Sequence, residues 1–382
     1  MDEATLEAVR EHLAKKGQRP GPVEVGAALR QLGVLVSDTA VRQTVAALRR
    51  ESVGAGLLEP LLATPGVTDV LVNGPDQVYL DRGSGLEPAN VRFAGDAEVR
   101  RLAVRLAGSV ARRLDDGSPF VDARLPNGVR VHAVLSCVAD VGTCLSLRVP
   151  NRQRLTLEDW VDSGSLSPRA AELLTGLIHQ RRAFLISGGT GSGKTTLLAA
   201  LLSLVPDQER IVIAEDSREL APAHPHCLRL EARPPNAEGR GAVTLTDLVR
   251  QALRMRPDRL VVGEVRGAEL ADLLSALNTG HEGGCGTVHA NSAGSVPARL
   301  EALGALGGLS RDALHAQLAA AIQVVIHVRR LSDGRRWLDE VRVLTADQAT
   351  GRCRAEPALR FHPDGRIEAG PALDQLRGLA GR

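Results

Sequence analysis

Apolar and polar positions change rhythm several times along the chain, and each change marks an element. Residues 1–50 read as short helices, interrupted by the Pro/Gly cluster from Gly17 to Pro22 and again near Gly33. From Gly54 short β-rich runs take over. VTDVLVN (67–73) and QVYLD (77–81) flank the turn Asn73-Gly74-Pro75, while FVDARL (120–125) and VRVHAVL (129–135) flank Pro126-Asn127-Gly128. Between the two pairs, Val99, Leu102, Ala103, Leu106 and Val110 recur at the three- and four-residue steps of a helix face over 96–114. A further strand, CLSLRV, ends at Pro150. This pattern predicts an α+β domain over 54–150 behind a helical extension over 1–53.

NRQRLTLEDWVDSG (151–164) is polar and turn-rich, so 151–166 reads as a linker. Beyond it a helix (168–180), the strand AFLIS (183–187), a Gly-rich loop, a helix (194–205) and the strand RIVIAE (210–215) alternate. Such alternation predicts an α/β domain over 167–382 with a parallel sheet covered by helices. IQVVIHV (322–328) and WLDEVRVL (337–344) add strands around the turn Ser332-Asp333-Gly334.

Composition narrows the function. The chain has 382 residues, 43% hydrophobic and 24% charged, with a net charge of +2, so nothing in the overall balance calls for nucleic acid or anionic lipid. Aromatic residues make up 2%, too few for a surface that stacks single-stranded bases. The five Cys form no CxxC pair, which argues against a disulfide framework or a zinc ribbon. The charged start reads against a secretory signal, and the longest charge-free stretch near the end, Ala313 to Val328, is too short to span a bilayer. The expectation is a soluble protein of a reducing compartment. Lys occurs only at positions 15, 16 and 194, which singles out Lys194.

Gly188-Gly189-Thr190-Gly191-Ser192-Gly193-Lys194-Thr195 satisfies G-x-x-x-x-G-K-[ST] at every fixed position. Glycines let successive N–H groups converge on phosphate oxygens at the start of a helix; Lys194 adds a point charge, and Thr195 a hydroxyl for Mg²⁺. The predicted activity is hydrolysis of a nucleoside triphosphate with Mg²⁺, and Thr196 extends the binding set. Two apolar strands then end in carboxylates, IVIAED at Glu215 and Asp216 and LVVGEVRG at Glu264. Carboxylates at the C-terminal edge of a parallel sheet can hold Mg²⁺ through water or orient an attacking water. His281 and His289 flank Cys285 in a Gly-rich stretch, as nucleotide-sensing residues or, less in keeping with their spacing, as metal ligands. Eleven Arg against six acids between Val91 and Arg154 suggest either a solvated basic face or a surface that meets an anion.

From about Gly54 to Leu344 the segments LLEPLLATPGVTDVLVNGPDQVYLDR, DDGSPFVDARLPNGVRVHAVL, the phosphate loop, IVIAEDSREL, LVRQALRMRPDRLVVGEVRG and TGHEGGCGTVHANS follow in an order that resembles the type II/type IV secretion ATPase superfamily, within it the CpaF/TadA-type ATPases of tight-adherence (Flp) pilus assembly. The resemblance implies a PAS-like N-terminal domain, a RecA-like ATPase domain and a homohexamer that binds ATP and Mg²⁺. It also implies a cytoplasmic location, peripheral to the inner membrane through a polytopic platform protein. It places Glu215 near the attacking water and makes Glu264 the Mg²⁺-water or catalytic carboxylate. His281 and His289 become γ-phosphate sensors, while Arg124, Arg130 and Arg148 are presented to the nucleotide, the last two as the stronger pair. His132 stands where relatives often carry Asn. A same-fold motor assisting conjugal DNA transfer is the alternative function.

Overall fold

The structure, a computed structural model, describes residues 54–83, 85–150, 155–236 and 239–381; before Gly54 it describes 21–34, 36–42, 44–45 and scattered positions between 5 and 16. Much of the expected 1–53 extension and positions 151–154 of the expected linker lie outside the described residues. The chain divides into two compact units, Met1–Asn151 and Arg152–Arg382.

In the first unit α1 (Pro22–Gln31) buries Val25, Ala28 and Leu29 beside Val9, Leu13, Val41 and Val45. There follow α2 (Glu59–Leu62), β1 (Asp69–Asn73), β2 (Val78–Asp81), β3 (Leu86–Pro88), α3 (Asp96–Gly108), β4 (Phe120–Arg124), β5 (Arg130–Val134) and β6 (Cys144–Arg148). The strands form an antiparallel sheet in the order β3-β2-β1-β6-β5-β4. Their alternation sends Val70, Val72, Val131, Ala133, Leu145 and Leu147 into one core with Val99, Leu102, Ala103 and Leu106 of α3. That helix ends earlier than its periodicity suggested, and Ala111 beyond it sits at φ 56.

The second unit contains α4 (Leu157–Asp162), α5 (Pro168–His179), β7 (Phe184–Gly188), α6 (Lys194–Leu202), β8 (Ile211–Glu215), β9 (Cys227–Glu231), α7 (Leu245–Leu253), β10 (Arg259–Val262) and α8 (Glu269–Leu277). It continues with β11 (Cys285–His289), α9 (Val296–Leu306), α10 (Arg311–Ala321), β12 (Val324–Arg330), β13 (Arg336–Ala346), β14 (Cys353–Phe361), β15 (Ile367–Ala369) and α11 (Leu373–Leu379). The sheet order is β15-β14-β13-β12-β7-β11-β10-β8-β9, parallel from β12 to β9 and antiparallel from β12 to β15. Central strands β7, β8 and β10 are buried along their whole length, as a sheet covered on both faces requires. Phe184, Ile186, Ile211 and Ile213 face α5 and α6, while Leu185, Val212 and Ala214 face α7 to α10. Helix α4 lies inside the stretch read as linker: a capping box at Thr156 and Asp159 starts it, and Leu157 and Trp160 enter the core. Cys227 opens strand β9, and His226 Nε2 lies 2.9 Å from Arg210.

Candidate active site

Four parallel strands deliver the sequence's candidate residues to one edge of the larger sheet, as the C-terminal edge of such sheets commonly does. β7 runs into the loop from Gly188, β8 ends at Glu215, Gly263-Glu264 follow β10, and β11 ends at His289, paired with Gly188. The loop turns back through Gly188, Gly191 and Gly193. At Gly188 (φ 154) a Cβ would stand 2.2 Å from Val328 O, so only glycine lets the loop leave the sheet there. Ser192 Oγ donates to Gly189 O at 2.9 Å, and Thr190 stays at the exposed tip. Gly193 then hands the chain to α6, whose first turn carries Lys194, Thr195 and Thr196.

Lys194 is 7% exposed and donates to Gly188 O (3.0 Å), Gly189 O (2.7 Å) and His289 Nδ1 (3.3 Å). His289 Nε2 lies 2.9 Å from Glu264 Oε1. The ammonium therefore addresses the unprotonated ring nitrogen, and the other nitrogen's proton points to the carboxylate. Burial and then the Lys194 charge hold the His289 pKa below the ordinary imidazole value, in keeping with a neutral ring that bridges lysine and glutamate. Burial also lowers the Lys194 pKa against the opposing pull of Glu264 and Glu219.

Glu215 is 3% exposed. Its Oε1 accepts from Glu219 N (2.9 Å) and Leu220 N (2.8 Å), while Oε2 is buried with no hydrogen-bond partner. Burial dominates and pushes its pKa up to about 7. Gly263 is what admits this side chain, because a Cβ there would stand 2.5 Å from Glu215 Cγ. The turn is held from β11 by Thr287, whose Oγ1 donates to Gly263 O at 2.6 Å and whose carbonyl accepts from Val265 N at 2.8 Å. Thus the Gly-Glu at this strand end has a steric cause: the glycine makes room for one carboxylate and the next residue supplies the other.

Several partners were not foreseen from the sequence. Asp216 pairs with Arg266, and Glu269 accepts from Arg266 N (2.6 Å) and Gly267 N (2.7 Å), which fixes the segment after Glu264. Ser187 Oγ lies 2.9 Å from His327 Nδ1 directly beneath the loop. Arg266 was within reach of sequence reasoning, since it follows Glu264 in the same LVVGEVRG run; His327, 140 residues from Ser187, was not.

His281 is not brought to this edge. It precedes β11, and its loop packs at the opposite end of the sheet: a Cβ on Gly283 would meet Arg259 Nη1 at 2.1 Å and Arg181 Cα at 3.2 Å. Parallel strand order is the reason, since β11 must run its whole length between the two histidines. Cys285 between them is buried in the core with its thiol pushed up to about 12, and among the described residues no cluster of three or more His, Cys, Asp or Glu could hold a metal. In the other unit the ladder places Arg124, Arg130 and Arg148 side by side on β4, β5 and β6, continued by Asp69 and Asp81. His132 Nδ1 lies 2.9 Å from Asp122 Oδ1 in the adjacent row.

Residues 51–360 match the family described as type II/IV secretion system protein. The chain belongs to this family. It is an ATPase, and nucleotide binding goes with membership. A putative conjugal transfer protein of Mycobacterium tuberculosis is 57% identical over 354 residues, which cover 91% of this chain and 99% of that one. The type IV secretion system protein VirB11 of Brucella suis is 31% identical over 326 residues, 76% of this chain and 90% of that one. The fold of this secretion ATPase is also similar to that of the pilus retraction motor PilT solved with bound ADP, with a TM-score of 0.53 at 21% identity over 74% of this chain and 80% of that one. Among its described residues no helix is long and apolar enough to cross a membrane.

Proposed function

We propose that this secretion ATPase is a homohexameric Mg-ATP-driven motor of the CpaF/TadA type, which acts on an inner-membrane platform to move pilin or another secreted substrate from the cytoplasmic side. The observation that carries the reading is the Lys194–His289–Glu264 chain at the mouth of the loop, with Glu215 alongside. Lys194 exchanges a carbonyl for the β- and γ-phosphates, and the loop from Gly188 to Gly193 offers its amides. His289 reports the exchange to Glu264. Glu215, with one free oxygen and a pKa near neutrality, orients the attacking water and takes its proton.

The donors present fit Mg²⁺: the Thr195 hydroxyl and the Glu264 carboxylate are hard oxygen groups, and among the described residues no all-protein cage competes with them. When bound, the ion would neutralise phosphate charge. The N-terminal unit, of the PAS-like type, presents Arg124, Arg130 and Arg148 to charge that develops on the phosphates, and the C-terminal unit is the RecA-like engine.

ATP hydrolysis and mass by light scattering, with and without Mg·ATP, test this for wild type and Glu264→Gln. A hydrolysing hexamer and a variant that binds ATP but barely turns over are expected. A monomer without turnover at any concentration would sink the motor reading. The name of the M. tuberculosis relative favours a second reading, a motor that assists conjugal DNA transfer. Hydrolysis stimulated by DNA, with affinity falling steeply as salt rises, would select it.

A further inference from the structure

Arg336, the first residue of β13, has no role in the scheme above, yet it lies against the phosphate loop of its own chain. The ladder pairs it with Arg330 at the end of the β12–β13 hairpin, on the sheet edge where Ser187 meets His327. A Cβ placed on Gly193 would come within 2.7 Å of Arg336 Cδ and 3.1 Å of Trp160 Cη2. The arginine stem and the indole therefore cover the residue immediately before Lys194.

The other arginines of the hairpin have partners: Arg329 pairs with Asp339 (2.9 Å), Arg335 with Asp333 (2.7 Å), and Arg330 Nε donates to Gly334 O (3.3 Å). Half-buried Arg336 has no hydrogen bond or ion pair with the described residues. Burial, and then the Arg330 charge, lower its pKa from the ordinary arginine value. Burying a guanidinium without a carboxylate is costly. Its immediate neighbour is a loop whose amides suit phosphate oxygens, so an oligophosphate would satisfy both at once.

We infer that Arg336 is a nucleotide-binding residue supplied in cis, which contacts the phosphate chain from the hairpin side of Gly193. This rests on the nucleotide-site reading proposed above. The amides of such a loop hold the α- and β-phosphates, so Arg336 reads the diphosphate common to ATP and ADP. Arg130 and Arg148 have the different task of meeting charge that develops during hydrolysis.

The full chain is titrated with Mg·ADP by calorimetry, and its thermal midpoint is measured with and without ADP, for wild type, Arg336→Met and Arg336→Lys. Met keeps an apolar stem over Gly193 and Trp160 but removes the charge. The expected result for Arg336→Met is an ADP affinity lower by about tenfold to a hundredfold, as for the loss of a charge-assisted hydrogen bond. The midpoint without ADP should stay level or rise, the ADP-induced shift should shrink in step with affinity, and Arg336→Lys should recover part of the binding. Unchanged ADP affinity in a folded Arg336→Met would overturn the inference and leave the residue a packing role. If Met does not fold, Arg336→Lys with wild-type affinity for ADP would overturn it too, since a lysine cannot reproduce the guanidinium's paired contacts. Wild-type protein that binds neither ADP nor ATP would instead overturn the nucleotide-site reading itself.

Discussion

In the six-stranded sheet Asp81, Asp69, Arg148, Arg130 and Arg124 stand in one row on the face turned away from α3, whereas the nine-stranded sheet and its loops take Lys194, Glu215 and Arg259 to 7%, 3% and 1% exposure. The first set stands on a solvated face, where water screens charge, and Asp81 there accepts from Gly83 N (2.6 Å) and Gly85 N (3.2 Å). Each of the second set has to be tethered: Lys194 by two carbonyls and His289, Glu215 by two amides, Arg259 by Glu209 (2.6 Å) and Ile178 O (2.9 Å). The exposed Arg148 can therefore be changed with little effect on folding, while in the second region chemistry and stability move together.

The largest test of that contrast is Lys194→Ala, expected to cut ATP hydrolysis by roughly a thousandfold or more, because the charge acts where water is largely excluded. A steady-state assay that finds full turnover would remove the site assignment. Arg148→Ala in the exposed row should lower turnover less, by about tenfold to a hundredfold. Its thermal midpoint should match wild type, since solvated surface substitutions typically stay within about 0.5 kcal/mol. A large loss of stability in that variant would mean that the row is structural, and the comparison would fail.

Glu215 sharpens the contrast through pH. Its folded pKa of about 7 lies above the ordinary 4.5, so its contribution to stability is fully present below the ordinary value and is lost as pH rises through 7. At pH 8 that loss amounts to about 3 kcal/mol. Glu215→Gln, which keeps an acceptor for the Glu219 and Leu220 amides, should unfold in urea at a midpoint close to wild type at pH 4.5 and clearly above it at pH 8. A difference that does not grow with pH would show that Glu215 is ionised in the fold at little cost. Hydrolysis by the same variant should fall sharply, the usual exchange of stability for a poised catalytic group.

What the sequence made legible follows the same division. Apolar runs ending in Gly188, Glu215 and Glu264 read directly as buried parallel strands, because burial on both faces forces near-continuous apolar residues and the motifs sit at the strand ends. The paired runs at 67–81 and 120–135 read as hairpins from their turns. Strands β14 and β15 and helix α11 were not anticipated, nor was β9 behind His224-Pro225-His226. These elements lie outside the sheet centre and alternate with polar positions, as in CRAEPALRF, so no continuous apolar run announces them. Contacts such as Ser187–His327, or Arg336 against Gly193, depend on which strand lands beside β7, and spacing along the chain does not encode that.

The same limit explains the two histidines, and it yields the smallest predicted effect. Eight residues apart in one Gly-rich stretch, His281 and His289 looked equivalent, yet the five residues of β11 separate the ends of the sheet by about 16 Å. His289 touches Lys194 and Glu264; the amide of His281 donates to Ala276 O at 3.3 Å, close to where Gly283 packs on Arg259. His289→Ala should weaken binding of a non-hydrolysable ATP analogue severalfold and leave in place the acid limb of the pH–rate profile, which protonation of Glu215 sets near pH 7. His281→Ala should change affinity for the same analogue by less than about twofold, because no charge or hydrogen bond at the loop depends on it. An equal loss from both substitutions would show that the far end of β11 communicates with the phosphates. In that case the anchor to examine would be buried Arg259, against which Gly283 of the His281 loop packs and which is tied to Glu209.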